Sequence, residues 1–133
     1  QEEFACHIEQ NEFVEGEEVY PGLSYGTLCS EVERIWSEGK TPVFDVDVVG
    51  GKTLKSVFGD RALAIFVMPP SVEELERRLR FRGTDSEESL AKRIGKASLE
   101  LKSASSFDVE LLNDQLEKAI VNTEKVVAEF LVL

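Results

Sequence analysis

The arginines of this chain are concentrated in one stretch, where they could bind an anion. Five of the seven lie between positions 77 and 93, although the chain carries only 15 Lys and Arg against 26 Asp and Glu, a net charge of −11. Planar guanidinium groups match phosphate oxygens two at a time and stabilise the charge that develops in phosphoryl transfer. The stretch is therefore a candidate phosphate site, made of Arg77, Arg78, Arg80, Arg82 and Arg93.

Three of these arginines have a second explanation. Each has a glutamate four residues before it, and such pairs contribute about 0.2–0.5 kcal/mol on a helix surface; the pairs are Glu73 with Arg77, Glu74 with Arg78, and Glu76 with Arg80. Arg82 and Arg93 have no carboxylate three or four residues before them, and they flank a polar loop that contains Gly83. We expect a mobile lid there. On the residues alone, phosphate binding and a surface ion-pair network are equally good explanations.

A second candidate site lies near the N-terminus. Glu15 falls in a segment, 12–20, that is typical of an exposed antiparallel strand, and Tyr25 and Thr27 fall in a predicted tight loop, 25–27. Guanine presents N1–H and its exocyclic amine side by side, so one carboxylate can accept both, and a threonine hydroxyl can donate to O6. Such a site would reject adenine, which would leave buried polar groups unpaired. The alternative is that Glu15 is simply an exposed carboxylate on a strand. Considered alone, Glu15 is better explained in this way.

Hydrophobic patterns place these residues on an α/β scaffold. Apolar runs typical of parallel strands fall at 43–49, 62–68 and 107–113. Asp45 and Asp47 alternate on the first of these strands and would share one face. Helical spacing is found at 2–9, between a Thr27 cap and Gly39, and at 71–81, 87–102 and 114–131, with capping boxes at Ser71–Glu74 and Thr84–Glu87.

Two Gly-Lys-Thr triplets, at 39–41 and 51–53, do not belong to a P-loop. The full pattern is G-x-x-x-x-G-K-[ST] after a strand, and Arg34 and Val46 occupy the positions of its first glycine. We interpret Gly50-Gly51 as a turn into a short helix.

Length and composition limit the function classes. The 133 residues suffice for one compact domain. The negative net charge argues against general binding to nucleic acid or to anionic membranes. The chain has no apolar run of membrane-spanning length and no signal peptide, and Cys6 and Cys29 lack the spacing of metal ligands, so we expect two reduced thiols. The helix-like start at Gln1 predicts that an earlier part of the protein is absent from this chain.

Taken together, these segments resemble the guanylate kinase family, in its bacterial type. The resemblance runs through NEFVEGEEVYPGLSYGT, FDVDVVGG, IFVMPPSVEELERRLRFRGTDSEES and FDVELLND, which is nearly the whole chain. It implies a three-layer α/β/α P-loop nucleoside monophosphate kinase fold, with the first strand and P-loop missing because they would precede Gln1. It also implies one domain over 1–133, with 1–27 in a small β-rich GMP-binding subdomain, 28–80 and 104–133 in the core, and 81–103 in a helical lid.

The resemblance further implies the reaction ATP + GMP ⇌ ADP + GDP, with Mg²⁺ bound together with ATP, in the cytoplasm. By position, the residues implied to bind GMP are Glu15, Tyr25, Thr27 and Asp45. Those implied to act on the transferring phosphates are Arg78, Arg82 and Arg93. Those implied to bind ATP are Arg78, Arg82 and Asn113, and Asp47 would lie near the metal.

Two other functions stay open at this point. One is an enzyme-dead domain of the same family that binds a phosphopeptide, and the other is a kinase for a different nucleotide or a small alcohol. The presence of Arg82, Arg93, Asp45 and Asp47 favours the enzyme. The expected partners are ATP and GMP, with no nucleic acid and no membrane, and the oligomeric state is left open. Without a P-loop, residues 1–133 alone are expected to show little or no activity.

Overall fold

The computed structural model describes residues 12–20 and 23–132, which fall into two compact units, Gln1–Ala62 and Leu63–Leu133. The predicted helix at 2–9, Pro21-Gly22 and Cys6 lie outside the described residues. Within the described residues, none of the helices combines the length and apolarity needed to cross a membrane. Each unit is described by itself below.

The first unit opens with an antiparallel hairpin. Strand β1 (Phe13–Tyr20) pairs with β2 (Leu23–Leu28), which confirms the predicted antiparallel strand at 12–20. The prediction of a tight loop at 25–27 was wrong, because these residues lie in β2. The reason is packing: a side chain at Gly26 would come within 2.7 Å of the Phe13 ring and 2.9 Å of the Glu15 carbonyl, so glycine here admits the facing strand rather than making a turn.

Helix α1 (Cys29–Ser37) follows β2 directly. Its N-cap is Leu28, which makes no side-chain cap hydrogen bond. The predicted Thr27 cap was therefore wrong, since that hydroxyl faces the neighbouring strand. The predicted end at Gly39 is confirmed by its left-handed backbone, with φ of 71°. Cys29, at the start of α1, is a free thiol.

The predicted strand at 43–49 is absent. Residues 40–47 form no regular element, and helix α2 (Val48–Phe58) begins inside the predicted strand, so Gly50-Gly51 lies in a helix rather than before one. An extended segment needs a neighbour for its backbone hydrogen bonds, and no described residue pairs with 43–47. The Asp47 carboxylate instead caps α2 by accepting from the Gly50 amide at 2.9 Å.

The first unit ends in a short 3-10 turn, Gly59–Arg61, after α2. The Lys55 ammonium group donates to the Ala62 carbonyl at 2.8 Å and holds this turn against the helix. Aromatic rings also pack here, with Trp36 meeting Phe58 edge to face at 5.8 Å.

The second unit is built on two parallel strands, β3 (Ile65–Met68) and β4 (Val109–Leu112), which pair in register from Ile65–Val109 to Met68–Leu112. Both lie within the predicted strands but are shorter. Phe66 and Leu111 are buried between the strands and their helices, and the Phe66 and Phe107 rings meet edge to face at 5.3 Å.

Three helices surround this strand pair, and all three were predicted. They are α3 (Val72–Arg82), α4 (Glu87–Glu100) with a 3-10 extension at Leu101–Ser106, and α5 (Leu116–Val132). Ser71 caps α3 as expected, by accepting from the Glu74 amide. The expected Thr84 cap was wrong: Ser86 caps α4, because its hydroxyl accepts from the Ser89 amide at 3.2 Å.

Candidate functional site

Glu15 and Thr27 form a buried polar pair across the hairpin. They face each other in the β1–β2 register, and the Thr27 hydroxyl donates to Glu15 Oε1 at 2.7 Å. Glu15 is only 6% exposed, so this charged side chain is buried. The alternative of an exposed strand carboxylate was therefore wrong. A carboxylate is held in this position only when its oxygens have partners.

Gly50 of α2 allows this carboxylate to lie over the start of the helix. A side chain on the buried Gly50 would come within 3.2 Å of Glu15 Oε2 and 3.1 Å of the Val46 Cβ atom. The same position lies 3.4 Å from Asp47 Oδ1. Glu15, Thr27 and Asp47 are thus brought together around a glycine. The sequence interpretation assigned Gly50 only to a turn, because the approach of the Glu15 carboxylate is a contact between residues far apart in the sequence.

Tyr25 and Asp45 are more open. Tyr25 is 58% exposed and lies two residues before Thr27 on β2, so both side chains are on the same face of the hairpin. Asp45 is exposed in the irregular segment before α2. The expectation that Asp45 and Asp47 share a strand face was wrong, since neither lies in a strand.

In the second unit, Glu74 accepts from two arginines of α3. Its carboxylate takes two hydrogen bonds from Arg77, at 2.7 and 2.8 Å, and one from Arg78 Nε at 2.7 Å. The hydrogen bonds from Arg77 and then from Arg78 lower the pKa of Glu74 to about 2. The predicted pairs of Arg78 and Arg80 are confirmed. The predicted Glu73–Arg77 pair was wrong, because Arg77 turns to Glu74.

Arg78 also joins α3 to the end of β4. Its two terminal nitrogens donate to backbone carbonyls, Nη1 to Asn113 at 2.8 Å and Nη2 to Asp114 at 3.2 Å. Arg78 and Asn113, both expected to bind ATP, are therefore brought together. The three guanidinium contacts fix the segment between β4 and α5 relative to α3.

Arg80 spans the loop between α3 and α4. It pairs with Glu76 on its own helix and with Glu87 at 2.7 Å, at the first position of α4. Gly83, with φ of 65°, ends α3 in the left-handed conformation. Arg80 therefore links the two helices across 83–86, a contact beyond the surface pairing that the sequence predicted.

Arg82 and Arg93 differ in their surroundings. Arg82 is exposed at the last position of α3 and forms no ion pair among the residues that the structure describes, as predicted. Arg93 Nε lies 3.1 Å from Asp85 Oδ1. Asp85 lies eight residues before Arg93, so this ion pair falls outside the three- and four-residue spacing to which the prediction applied.

The described residues contain no group of three potential ligands that could hold a metal ion. Mg²⁺ is commonly bound by one or two carboxylates together with nucleotide phosphates. Asp47 could supply such a carboxylate, although its Oδ1 atom already caps α2.

Comparison with known proteins gives one consistent result. A sequence model described as guanylate kinase matches residues 1–130. The guanylate kinase of Porphyromonas gingivalis is 53% identical over 130 residues, which are 98% of this chain and 69% of that protein. The guanylate kinase of Bacteroides thetaiotaomicron is 52% identical over 130 residues, 98% of this chain and 64% of that protein.

A solved structure is also similar. The crystal structure of guanylate kinase from Anaplasma phagocytophilum has a TM-score of 0.76 at 26% identity, over 97% of this chain and 62% of that one. This likeness confirms the predicted α/β nucleoside monophosphate kinase fold class. The chain spans about two thirds of the length of the curated relatives it matches.

Proposed function

Because the chain belongs to the guanylate kinase family, we propose that the complete protein containing it transfers the γ-phosphoryl group of ATP to GMP, giving ADP and GDP. The observation that carries this proposal is the buried Glu15–Thr27 pair. A buried acceptor beside a hydroxyl is complementary to the Watson–Crick edge of guanine.

In the proposed complex, the Glu15 carboxylate accepts from guanine N1–H and the exocyclic amine. The hydroxyl hydrogen of Thr27 can rotate, so it turns from Glu15 to guanine O6 once guanine supplies the donors. Tyr25, on the same face of β2, contacts the GMP phosphate, and Asp45 lies against the bound nucleotide. Adenine would present an acceptor to the Glu15 carboxylate, so no hydrogen bond would form there. This difference would allow the site to discriminate guanine from adenine.

The phosphate side of the proposal rests on the second unit. Arg82 has no acidic partner among the described residues, which leaves its guanidinium group available for phosphate oxygens. Arg93 joins it in stabilising the transferring group. Arg78 and Asn113 would contact ATP. Asp47 would supply a carboxylate to Mg²⁺, which would stabilise the charge of the phosphates.

We propose that the lid hinges at the loop between α3 and α4. We assign 81–103 to the lid, 1–27 to the GMP-binding part, and 28–80 with 104–133 to the core. Closure of such a segment excludes water and assembles the arginines around the phosphates. We place the reaction in the cytoplasm, where both nucleotides occur.

The proposed function is tested by following ADP formation by the complete protein with GMP, AMP or UMP as acceptor. We expect turnover with GMP and rates lower by roughly 10²-fold or more with the other two. Glu15→Gln should lower kcat/KM for GMP by roughly 10- to 100-fold, since a hydrogen bond to a charged group contributes about 1.5–3 kcal/mol. Glu18→Gln, at an exposed carboxylate on the same strand, is the matched control.

Two results would contradict the proposal. One is an equal rate with AMP or UMP, which would point to a different acceptor. The other is calorimetric binding of a phosphopeptide, without binding of GMP, by the complete protein, which would identify a binding module instead of a kinase.

A further inference from the structure

Asp85, in the loop between α3 and α4, has an environment that is unusual for a loop carboxylate. Its side chain is only 10% exposed, and its Oδ1 atom lies 3.1 Å from Arg93 Nε. The Ser89 hydroxyl donates to the same oxygen at 3.2 Å. The other oxygen, Oδ2, is buried and has no hydrogen-bond partner among the described residues.

The caps of the two helices do not explain this burial. Ser86 caps α4 and Gly83 ends α3, so neither helix end uses the Asp85 side chain. A buried carboxylate oxygen without a partner is costly. The charged group that compensates the burial of Asp85 is Arg93, which lies against the other oxygen, Oδ1.

The contact leaves the outer edge of the Arg93 guanidinium group open. Asp85 lies nearest to Nε, and the terminal nitrogens Nη1 and Nη2 form no ion pair with a second carboxylate among the described residues. The Arg93 side chain is 40% exposed, so these nitrogens can reach a ligand from solvent. A guanidinium group fixed at Nε presents its two terminal N–H groups as a fork suited to two phosphate oxygens.

We propose that Asp85 is a positioning residue that holds Arg93 with its terminal nitrogens directed to the transferring phosphate. This inference rests on the proposed function and adds a carboxylate that touches neither nucleotide. It is distinct from a latch, in which the carboxylate would engage the terminal nitrogens and withhold them from phosphate. The two arrangements predict opposite effects on rate when Asp85 is replaced.

The experiment compares Asp85→Asn and Asp85→Ala with Glu88→Gln in the complete protein. Glu88 is an exposed carboxylate of α4 that pairs with Lys92 at 3.7 Å, so its replacement removes one charge from the same helix without touching Arg93. We expect kcat to fall by roughly 10²-fold in Asp85→Ala. The KM for GMP should stay within about 2-fold, and Asp85→Asn should show a smaller loss because it keeps one acceptor oxygen.

A double-mutant cycle separates positioning from a general structural effect. In an Arg93→Ala background, Asp85→Ala should change kcat by less than about 2-fold, because the residue that it positions is already absent. Additive losses would overturn the proposal. So would a rate for Asp85→Ala within about 2-fold of the wild type, or a rate above it, the latter being the result that a latch predicts. If Asp85→Ala does not fold, the double-mutant cycle is measured with Asp85→Asn instead.

A second measurement tests the positioning role of Asp85 independently of whether GMP is the acceptor. The NMR order parameter of the Arg93 Nε–H bond should be that of a fixed group in the wild type, and should fall below about 0.6 in Asp85→Ala. An order parameter that is equal in both proteins would overturn the positioning role, whatever the acceptor is.

Discussion

The Thr27 hydroxyl donates to the Glu15 carboxylate at 2.7 Å and joins the two strands of the hairpin at a buried point. Thr27→Val keeps the shape of the side chain and removes the donor. We expect a loss of about 1–3 kcal/mol in the free energy of unfolding, the cost of leaving a buried acceptor unsatisfied, together with a higher KM for GMP. Urea denaturation and steady-state kinetics measure the two effects. Thr27→Ser keeps the hydroxyl and should recover most of the GMP affinity; an equal KM in the Val and Ser variants would contradict the assignment.

We expect the position of the Glu15 carboxylate to require a residue without a side chain at Gly50. A Cβ atom there would lie 3.1–3.2 Å from Val46 and Glu15, so Gly50→Ala should displace the Glu15 carboxylate and raise the KM for GMP. Gly95→Ala is the matched control, because Gly95 lies inside a helix with nothing within 4 Å of the new methyl group. That change should stabilise the protein by up to about 1 kcal/mol. Thermal denaturation and GMP titration distinguish the two variants, and a Gly50→Ala protein with unchanged GMP affinity would show that Glu15 does not depend on this space.

Glu74 should make the protein sensitive to acid. Its pKa is about 2 in the folded protein and 4.5 ordinarily, so the unfolded chain takes up the proton first as pH falls. The stabilisation from Glu74 is therefore complete above about pH 4.5 and is lost progressively as the pH falls toward 2. Glu74→Gln should lower stability at pH 7 and flatten the pH dependence in that window. Glu73→Gln, at an exposed neighbour with no ion pair in the described part of the chain, is the matched control and should not reproduce the loss of stability at pH 7; denaturant unfolding compares the two variants.

Arg78 should act through geometry as well as charge. Arg78→Lys keeps the charge but cannot reach Glu74 and the carbonyls of Asn113 and Asp114 together. We expect a loss of about 1–3 kcal/mol in unfolding free energy and a higher KM for ATP, because the Asn113 segment loses its anchor. Arg77→Lys is the control, since Arg77 is exposed and Glu74 is its ion-pair partner among the described residues. Similar ATP affinity in the two variants would argue against a role for this anchor in ATP binding.

Much of the second unit was predictable because its signals are local. The helices α3, α4 and α5 follow from periodicity, and β3 and β4 follow from apolar runs that pair with each other. The pairs of Glu74 with Arg78 and of Glu76 with Arg80 follow from helical spacing alone. The cap of α4 was misplaced by two residues because Thr84 and Ser86 offer the same chemistry, and the backbone decides which hydroxyl meets a free amide.

The failures of prediction concern contacts that no local pattern contains. The segment 43–49 has the composition of a strand, yet strand formation depends on a neighbour, and none pairs with it among the described residues. Residues 25–27 have the composition of a turn, yet Phe13 packs over Gly26 and makes them a strand.

The sequence by itself determined the family, the α/β class and the residue types of both candidate sites, since these depend on composition, spacing and motif. Only the tertiary structure decided how those residues are used. It buried Glu15 against Thr27 and Gly50, joined Arg78 to the Asn113 carbonyl, and paired Arg93 with Asp85. The physical reason is that burial and ion pairing depend on distances across the fold, whereas helical and strand patterns depend on distances along the chain.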